Sequence, residues 1–326
     1  MSLSWLVIHP GALGDVLLAL PALAHLGRLA AGGRRVLAAL PRVAALLDGS
    51  AHVEATVDFD ALGLHELFVA EPDPAVPDRL RGYSGIVSWF GAAEPTYRAH
   101  LEGLGRPLVV ARAAPPRGSG MHAAHHLLAS LAPLGPVPDA LPAARLEAGG
   151  PERRWADAWL AARGLRTGEA VVLHPGAGSP AKAWPGFGRL ARRLAAGGVP
   201  VVVIGGPADA RTVARAVEDG GVADAMVLRD ASLRQLTALF EQVRGFVGND
   251  SGLSHLAAAV GCPSLVLFGP TDPVLWRPLG KRVVVLGGAA AGAPDPWREL
   301  GVDRVEDALG SMLRTQPALA GRGWEP

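Results

Sequence analysis

A polar turn between two apolar stretches carries the clearest chemical signal of this chain. The turn GNDSG, residues 248–252, follows an apolar run, and the small residues 253–260 after it predict a helix. Ligands of parallel α/β folds bind at the carboxyl ends of strands, and a helix start offers unpaired N–H groups to a phosphate. His255 falls on the same helix face as Ser251. The alternative is that Asp250 or Ser251 only caps the helix.

Two other loops contain residues that could act with this turn. The loop HPGALGD, residues 9–15, has one carboxylate, Asp15, which could serve as a base or cap the next helix. The loop HPGAGSPAKAWP, residues 174–185, offers Ser179 and Lys182, or is a plain surface loop. Lys182 is one of only two lysines, and its compact ammonium suits a phosphate. Together the loops favour group transfer from a phosphorylated donor, with a carboxylate taking the acceptor's proton.

Alternating strands and helices must position these loops. The alternation predicts parallel sheets, and the repeat of LVIHPGA (6–12) as VVLHPGA (171–177) indicates two similar halves. We therefore expect an α/β fold of two Rossmann-like domains facing across a ligand cleft. The predicted domains are 1–150, which includes a Pro/Ala/Gly-rich linker at 132–150, and 151–326. The predicted strands are 5–9, 35–40, 53–59, 85–90, 107–111, 170–174, 199–204, one near 226, one leading into 248, 264–268 and 282–286; the predicted helices are 16–29, 95–104, 121–131, 151–163, 187–196, 208–219, 232–243, 253–260 and 302–313.

Length and composition exclude several classes of protein. A chain of 326 residues suggests about two domains, and no segment has the ~18 uninterrupted apolar residues of a membrane span. A single cysteine excludes an internal disulfide and fits a reducing compartment. A net charge of +1 gives no electrostatic case for binding nucleic acid. Without an evident signal peptide, we expect a cytoplasmic protein. The phosphate-binding loop of NTPases and the dinucleotide fingerprint after the first strand are both missing.

Four motifs resemble glycosyltransferase family nine, the lipopolysaccharide heptosyltransferases. They are LGDVLLALPAL (13–23), HPGAGSPAKAWP (174–185), VIGGPAD (203–209) and GNDSGLSHLAAAVGCPSLVLFGPTDPVLW (248–276). The resemblance implies a GT-B architecture whose second domain holds most of the donor. It also implies inverting transfer of a heptose from ADP-heptose to a lipopolysaccharide core or related glycan, without a metal or other cofactor. The glycan or glycolipid acceptor would lie at the inner face of the cytoplasmic membrane, where the protein would make peripheral contact.

The same resemblance implies roles for individual residues. Asp15 resembles the family's catalytic base, Lys182 the lysine that neutralises the nucleotide phosphates, and Asp250 the carboxylate that contacts the donor sugar. Ser251, Gly252 and Leu253 would bring backbone N–H groups to the diphosphate. His255 would lie close by, and Ser179 would also belong to the donor site.

The first loop departs from the family pattern. An arginine and serines usually precede Leu-Gly-Asp in the family, whereas His9, Gly11 and Ala12 occupy those places here. These three residues and Gly14 belong to the acceptor-side loop. The departure leaves open another nucleotide sugar or acceptor, a sugar-nucleotide epimerase or hydrolase, and a sugar-nucleotide-binding protein without turnover.

Two metal-like patterns have simpler interpretations. Asp58-Phe59-Asp60 has the spacing of metal-dependent transferases, but its position favours a solvated strand end. His122 and His126 lie four residues apart, a spacing that can bind zinc, but no third ligand is near them in sequence. We therefore expect no metal site.

Overall fold

A computed structural model describes residues 3–30, 32–116, 118–288 and 295–315 of the chain. The chain divides into two compact units, Met1–Leu146 and Glu147–Pro326, whereas the sequence places the division at residue 150. No helix within the described ranges is long and apolar enough to cross a membrane.

The first unit is built on a five-stranded parallel sheet. Its strand order is β3-β2-β1-β4-β5, and β1 is central because its residues 5–8 are buried on both faces. The strands are β1 (Ser4–Ile8), β2 (Arg34–Ala39), β3 (Ala55–Asp58), β4 (Gly85–Ser88) and β5 (Leu108–Val110). The helices are α1 (Leu13–Leu18), α2 (Leu20–Leu29), α3 (Pro41–Leu47), α4 (Ala75–Arg81), α5 (Pro95–Glu102) and α6 (Ala123–Ala129).

The second unit is built on a six-stranded parallel sheet. Its strand order is β11-β10-β9-β6-β7-β8, with β9 and β6 at the centre. The strands are β6 (Val171–His174), β7 (Val201–Ile204), β8 (Val227–Leu228), β9 (Gly245–Asn249), β10 (Ser264–Phe268) and β11 (Val283–Gly287). The helices are α7 (Gly150–Ala161), α8 (Phe187–Ala196), α9 (Ala210–Gly220), α10 (Leu233–Gln242), α11 (Gly252–Val260), α12 (Pro273–Trp276) and α13 (Val302–Thr315). The predicted α/β class with a parallel sheet in each half is confirmed.

Helix α8 shows how the pattern of apolar residues produces this packing. Phe187, Leu190, Ala191 and Leu194 recur at helical spacing and are buried against the sheet. The helix also approaches α9 closely, since a Cβ at Gly188 would lie 2.4 Å from the Cβ of Asp219. A glycine at this point therefore allows the two helices to pack side by side.

The first unit differs from the sequence prediction in its helices. The helical run predicted over 16–29, with Pro21 near a helix start or kink, is two helices: α1 ends before Ala19, and the chain restarts as α2 with Pro21 in its first turn. Helices α3 and α4 were not predicted, since seven residues give too little periodicity and a proline also lies inside α4. Residues 64–68, which the sequence leaves unassigned, form a 3₁₀ helix.

Candidate functional site

Three loops of the second unit place polar side chains at the carboxyl ends of neighbouring strands. Lys182 follows β6, Asp250 follows β9, and Thr271 follows β10. The Lys182 ammonium donates a hydrogen bond to Asp250 Oδ2 over 2.8 Å, and the Thr271 hydroxyl donates to the same oxygen over 2.7 Å. The Asp250 side chain is 8% exposed and that of Lys182 is 30% exposed. The structure therefore brings the predicted lysine and carboxylate together as an ion pair that solvent can still reach from the lysine side.

Helix α11 begins without a cap from its own N-cap residue. Ser251 occupies the N-cap position, but its side chain makes no capping hydrogen bond. The first N–H groups with a backbone acceptor in this helix are those of Ser254 and His255, which both donate to the Ser251 carbonyl. Those of Gly252 and Leu253 consequently have no acceptor within the helix. The alternative that the Ser251 side chain caps the helix is therefore wrong, and the helix start can accept an anion.

Asn249 fixes the loop that carries Lys182. Its side chain is fully buried, and its amide nitrogen donates to the carbonyls of Pro175 and Gly176, each over 3.0 Å. Its amide oxygen accepts the Trp184 backbone N–H over 3.0 Å. The Asn249 side chain, at the end of β9, thus holds both ends of the loop 175–184. The sequence analysis did not predict this role of Asn249.

His174 and Asp209 form a second link between strand ends that sequence reasoning missed. The His174 Nε2–H group donates to Asp209 Oδ2 over 3.3 Å, and His174 Nδ1 lies 3.3 Å from the Ser251 hydroxyl. The His174 side chain is 5% exposed and Asp209 is 17% exposed. His174 ends β6 and Asp209 lies in the turn after β7, and each belongs to a motif quoted above, which is the one sequence signal that could have indicated them.

The remaining donor-side residues occupy different surroundings. His255 is buried one turn into α11. Ser179 is exposed and lines a cavity of about 600 Å³, whose wall also includes Trp184, Arg211 and Thr212. Neither Lys182 nor Asp250 lines that cavity. Ser179 thus borders a cavity that the ion pair does not line, although its carbonyl accepts the Lys182 backbone N–H over 3.1 Å.

Asp15 lies at the start of α1 in the first unit. It is the third residue of the helix, after Gly14, and its Oδ2 accepts the Ala12 backbone N–H over 3.2 Å. The carboxylate is half-buried and helps to close the helix start. A carboxylate held in this way has a fixed direction and retains lone pairs for a proton. The capping role and the role of a base are therefore compatible.

His9 and Gly11 shape the loop that leads to Asp15. His9 is 1% exposed, and its Nδ1 accepts the Gly11 N–H over 3.2 Å. Its Nε2 has no hydrogen-bond partner among the described residues. Its ring packs against that of Trp89 in a T-shaped arrangement with the ring centroids 5.6 Å apart. Burial lowers the pKa of His9 to about 4, so the imidazole is neutral at pH 7. A Cβ at Gly11 would lie 2.6 Å from His9 Cε1, so a side chain does not fit there.

The residues of the two metal-like patterns make local hydrogen bonds within the first unit. Asp58 Oδ1 accepts the Asp60 backbone N–H over 3.1 Å in an exposed turn after β3. His122 Nδ1 accepts the Ala124 N–H at the start of α6, and His126 Nε2 donates to the Arg112 carbonyl over 2.8 Å. In the described part of the chain, no group of three or more His, Cys, Asp or Glu side chains could hold a metal ion.

Comparison with known proteins relates the chain to a family of transferases. Residues 138–299 match the model of glycosyltransferase family 9 (heptosyltransferase). Over 121 residues the chain is 31% identical to lipopolysaccharide heptosyltransferase 3 from Escherichia coli, covering 35% of each chain. The chain therefore spans about a third of the length of that curated relative.

Solved structures extend the likeness to the whole fold. The glycosyl transferase family 9 protein from Veillonella parvula matches with a TM-score of 0.78 at 18% identity, covering 96% of this chain and 97% of that one. The Escherichia coli ADP-heptose lps heptosyltransferase II matches with a TM-score of 0.73 at 20% identity, covering 97% and 100%. At these identities the likeness establishes the fold, and it confirms the predicted GT-B class with two parallel sheets.

Proposed function

We propose that this chain, which belongs to glycosyltransferase family 9, transfers a heptose from ADP-heptose to a lipopolysaccharide core or related glycan. The observation that carries the proposal is the group at the strand ends of the second unit. There the Lys182 ammonium, the Asp250 carboxylate and the start of α11, which its N-cap side chain does not cap, lie beyond the ends of the adjacent strands β6 and β9. The relatives are named as heptosyltransferases, and one matched structure is named as an ADP-heptose enzyme.

The donor is proposed to bind to this group through its charges and hydroxyls. The N–H groups of Gly252 and Leu253, together with the helix dipole, would stabilise the diphosphate. The Lys182 ammonium would neutralise the charge that develops on the departing ADP. The Asp250 carboxylate, held by Lys182 and Thr271, would accept hydrogen bonds from sugar hydroxyls.

The chemical step requires a base for the acceptor. In the proposed reaction Asp15 takes the proton of an acceptor hydroxyl, whose oxygen forms a bond to the anomeric carbon of the heptose. The bond from that carbon to the ADP oxygen breaks on the opposite face, so the configuration inverts and ADP leaves with the bonding electrons. No metal or cofactor enters this proposal. We propose that the protein works in the cytoplasm and meets a glycolipid acceptor at the inner membrane surface.

A donor screen tests the proposal. We expect ADP-heptose and ADP to raise the melting temperature of the protein more than UDP or GDP sugars do, because a ligand stabilises the state it binds. Mass spectrometry of the reaction with a lipopolysaccharide core acceptor should then show an added heptose. Preference for another nucleotide sugar in both measurements would contradict the donor assignment.

One observation favours keeping a different acceptor as the second candidate. His9 is buried and neutral, and Gly11 and Ala12 have no polar side chain, so this loop gives no positive charge to an anionic acceptor. A transfer assay with a panel of acceptors that includes neutral glycans distinguishes the lipopolysaccharide core from a different acceptor. Transfer to a neutral glycan alone would support the second candidate. Release of free heptose without any acceptor would instead indicate a hydrolase, and binding without turnover a non-catalytic protein.

A further inference from the structure

The start of α11 lies next to two side chains that could cap it, and both are bonded elsewhere. Serine at an N-cap normally accepts a hydrogen bond from the second or third helical N–H. Here Asp250 accepts hydrogen bonds from Lys182 and Thr271, and the Ser251 hydroxyl lies beside His174. The side chain of the N-cap residue Ser251 therefore makes no hydrogen bond to the first N–H groups of the helix.

The direction of the Ser251 hydroxyl follows from the protons of its neighbours. The Asp209 carboxylate is an acceptor, so His174 presents Nε2–H to it. In the neutral imidazole Nδ1 is then an acceptor, and the Ser251 hydroxyl donates to it. The neighbouring Ser254 hydroxyl donates to the Asn249 carbonyl, so Ser254 Oγ, 3.4 Å from Ser251 Oγ, can act toward Ser251 only as a second acceptor beside His174 Nδ1. The Ser251 oxygen is thereby turned toward His174.

Asp209 is itself held firmly. Its Oδ2 accepts the Gly206 backbone N–H over 3.1 Å, and it lies in the turn after β7, next to β6 in the sheet. A Cβ at Gly176 would lie 2.2 Å from Asp209 Oδ1, so a glycine is needed for the carboxylate to reach His174. The arrangement from Asp209 through His174 to Ser251 thus joins three adjacent strand ends.

From this arrangement we propose that His174 is a positioning residue that draws the Ser251 hydroxyl away from the helix start, leaving the N–H groups available to a diphosphate. The inference rests on the proposed function, since it assumes that ADP binds at this helix start. It assigns to His174, oriented by Asp209, a role in donor affinity that involves no contact with the donor. Without an acceptor at Nδ1, the Ser251 oxygen would turn to cap its own helix and compete with the ligand.

Two substitutions of His174 separate its two hydrogen bonds. His174→Gln places an amide near Nε2, facing Asp209, but removes the acceptor at Nδ1. His174→Asn places an amide near Nδ1, facing Ser251, and serves as the matched control. Because an N-cap hydrogen bond competes with the ligand, we expect His174→Gln to weaken ADP binding about five- to tenfold. His174→Asn should stay within about twofold of the wild type.

A double variant provides the test that a merely structural role of His174 would not pass. Ser251→Ala removes the oxygen that would cap the helix, so His174→Gln/Ser251→Ala should recover ADP affinity to within about twofold of Ser251→Ala alone. The measurement is isothermal titration of the full chain with ADP, alongside thermal melts. Recovery supports the inference. A double variant as weak as His174→Gln, or a His174→Gln protein with unchanged affinity, overturns it.

The single Ser251→Ala variant decides the matter if the His174 variants do not fold. Ser251→Ala keeps the backbone N–H group that the family resemblance assigns to the donor site and removes only a hydroxyl that lies beside His174, so ADP affinity should stay within about twofold of the wild type. A loss of more than about tenfold would mean that the hydroxyl binds ADP directly, and would overturn the inference alone. Wild-type protein that does not bind ADP at all would overturn the proposed donor together with this inference.

Discussion

Replacing Asn249 by alanine tests how the site is held together. The substitution removes one fully buried side chain and, with it, three hydrogen bonds to the loop 175–184. The Trp184 N–H loses its acceptor, and the carbonyls of Pro175 and Gly176 each lose a donor. A buried group that loses its partner costs about 1–3 kcal/mol, and a net hydrogen bond is worth about 1 kcal/mol. We therefore expect the second unit to lose about 3–5 kcal/mol.

The loss should be visible in a thermal melt. For a unit of this size, 1 kcal/mol shifts the melting temperature by about 2–4 °C, so the shift should be about 10 °C. Thr237→Val is the matched control, because Thr237 is equally buried and its hydroxyl donates only to the Leu233 carbonyl of its own helix. We expect that control to cost below about 1.5 kcal/mol.

The same variant should also weaken donor binding, because the loop carries Lys182. We expect ADP affinity, measured by titration below the melting transition, to fall at least about tenfold in Asn249→Ala and to stay unchanged in Thr237→Val. If Asn249→Ala melts within about 2 °C of the wild type, the three hydrogen bonds do not hold the loop and the reasoning is refuted.

Three further predictions follow from individual side chains. Burial lowers the folded-state pKa of His9 from 6.5 to about 4, so the stability that the neutral ring contributes is present above pH 6.5 and is lost as the pH falls toward 4. The loss should amount to about 3 kcal/mol of unfolding free energy. In urea unfolding, the His9→Asn variant should not show this loss. Lys182→Ala should weaken ADP binding by about tenfold or more in calorimetry, whereas the exposed Lys281→Ala should not; equal effects would contradict the role of Lys182. Burial raises the pKa of Cys262 to about 12, so a thiol reagent should modify it only after unfolding, and rapid labelling of the folded protein would contradict its burial.

Local pattern was sufficient to predict the elements that form the sheets. Helix α8 and strand β10 coincide with their predicted ranges, 187–196 and 264–268, because periodicity and a bounded apolar run are strong there. Short elements were missed for the opposite reason. Helix α12 has four residues and begins at Pro273, so it depends on the Asp272 cap, whose carboxylate accepts the Val274 N–H.

The site was predicted in its charges but not in its connections. The sequence indicates Lys182 and Asp250 because each is the exceptional residue of its loop, but the bond between them requires knowing that β6 and β9 are adjacent. Three further side chains form hydrogen bonds with residues 21 to 77 positions away in the sequence: Asn249, His174 and Thr271. Such pairings depend on strand order, which single-sequence patterns do not specify.

Transfer by the Asp15 variant tests the central proposal most directly. Asp15→Asn keeps the size of the side chain and an oxygen for the Ala12 N–H, but it cannot accept a proton. Asp58→Asn is the matched control, because Asp58 is an exposed carboxylate at the end of strand β3 in the same unit. With ADP-heptose and a core glycan, we expect the rate of heptose transfer to fall about 10²–10⁴-fold in Asp15→Asn, with ADP affinity and melting temperature unchanged, and to be normal in Asp58→Asn. Full transferase activity in a folded Asp15→Asn protein would contradict the assignment of Asp15 as the base.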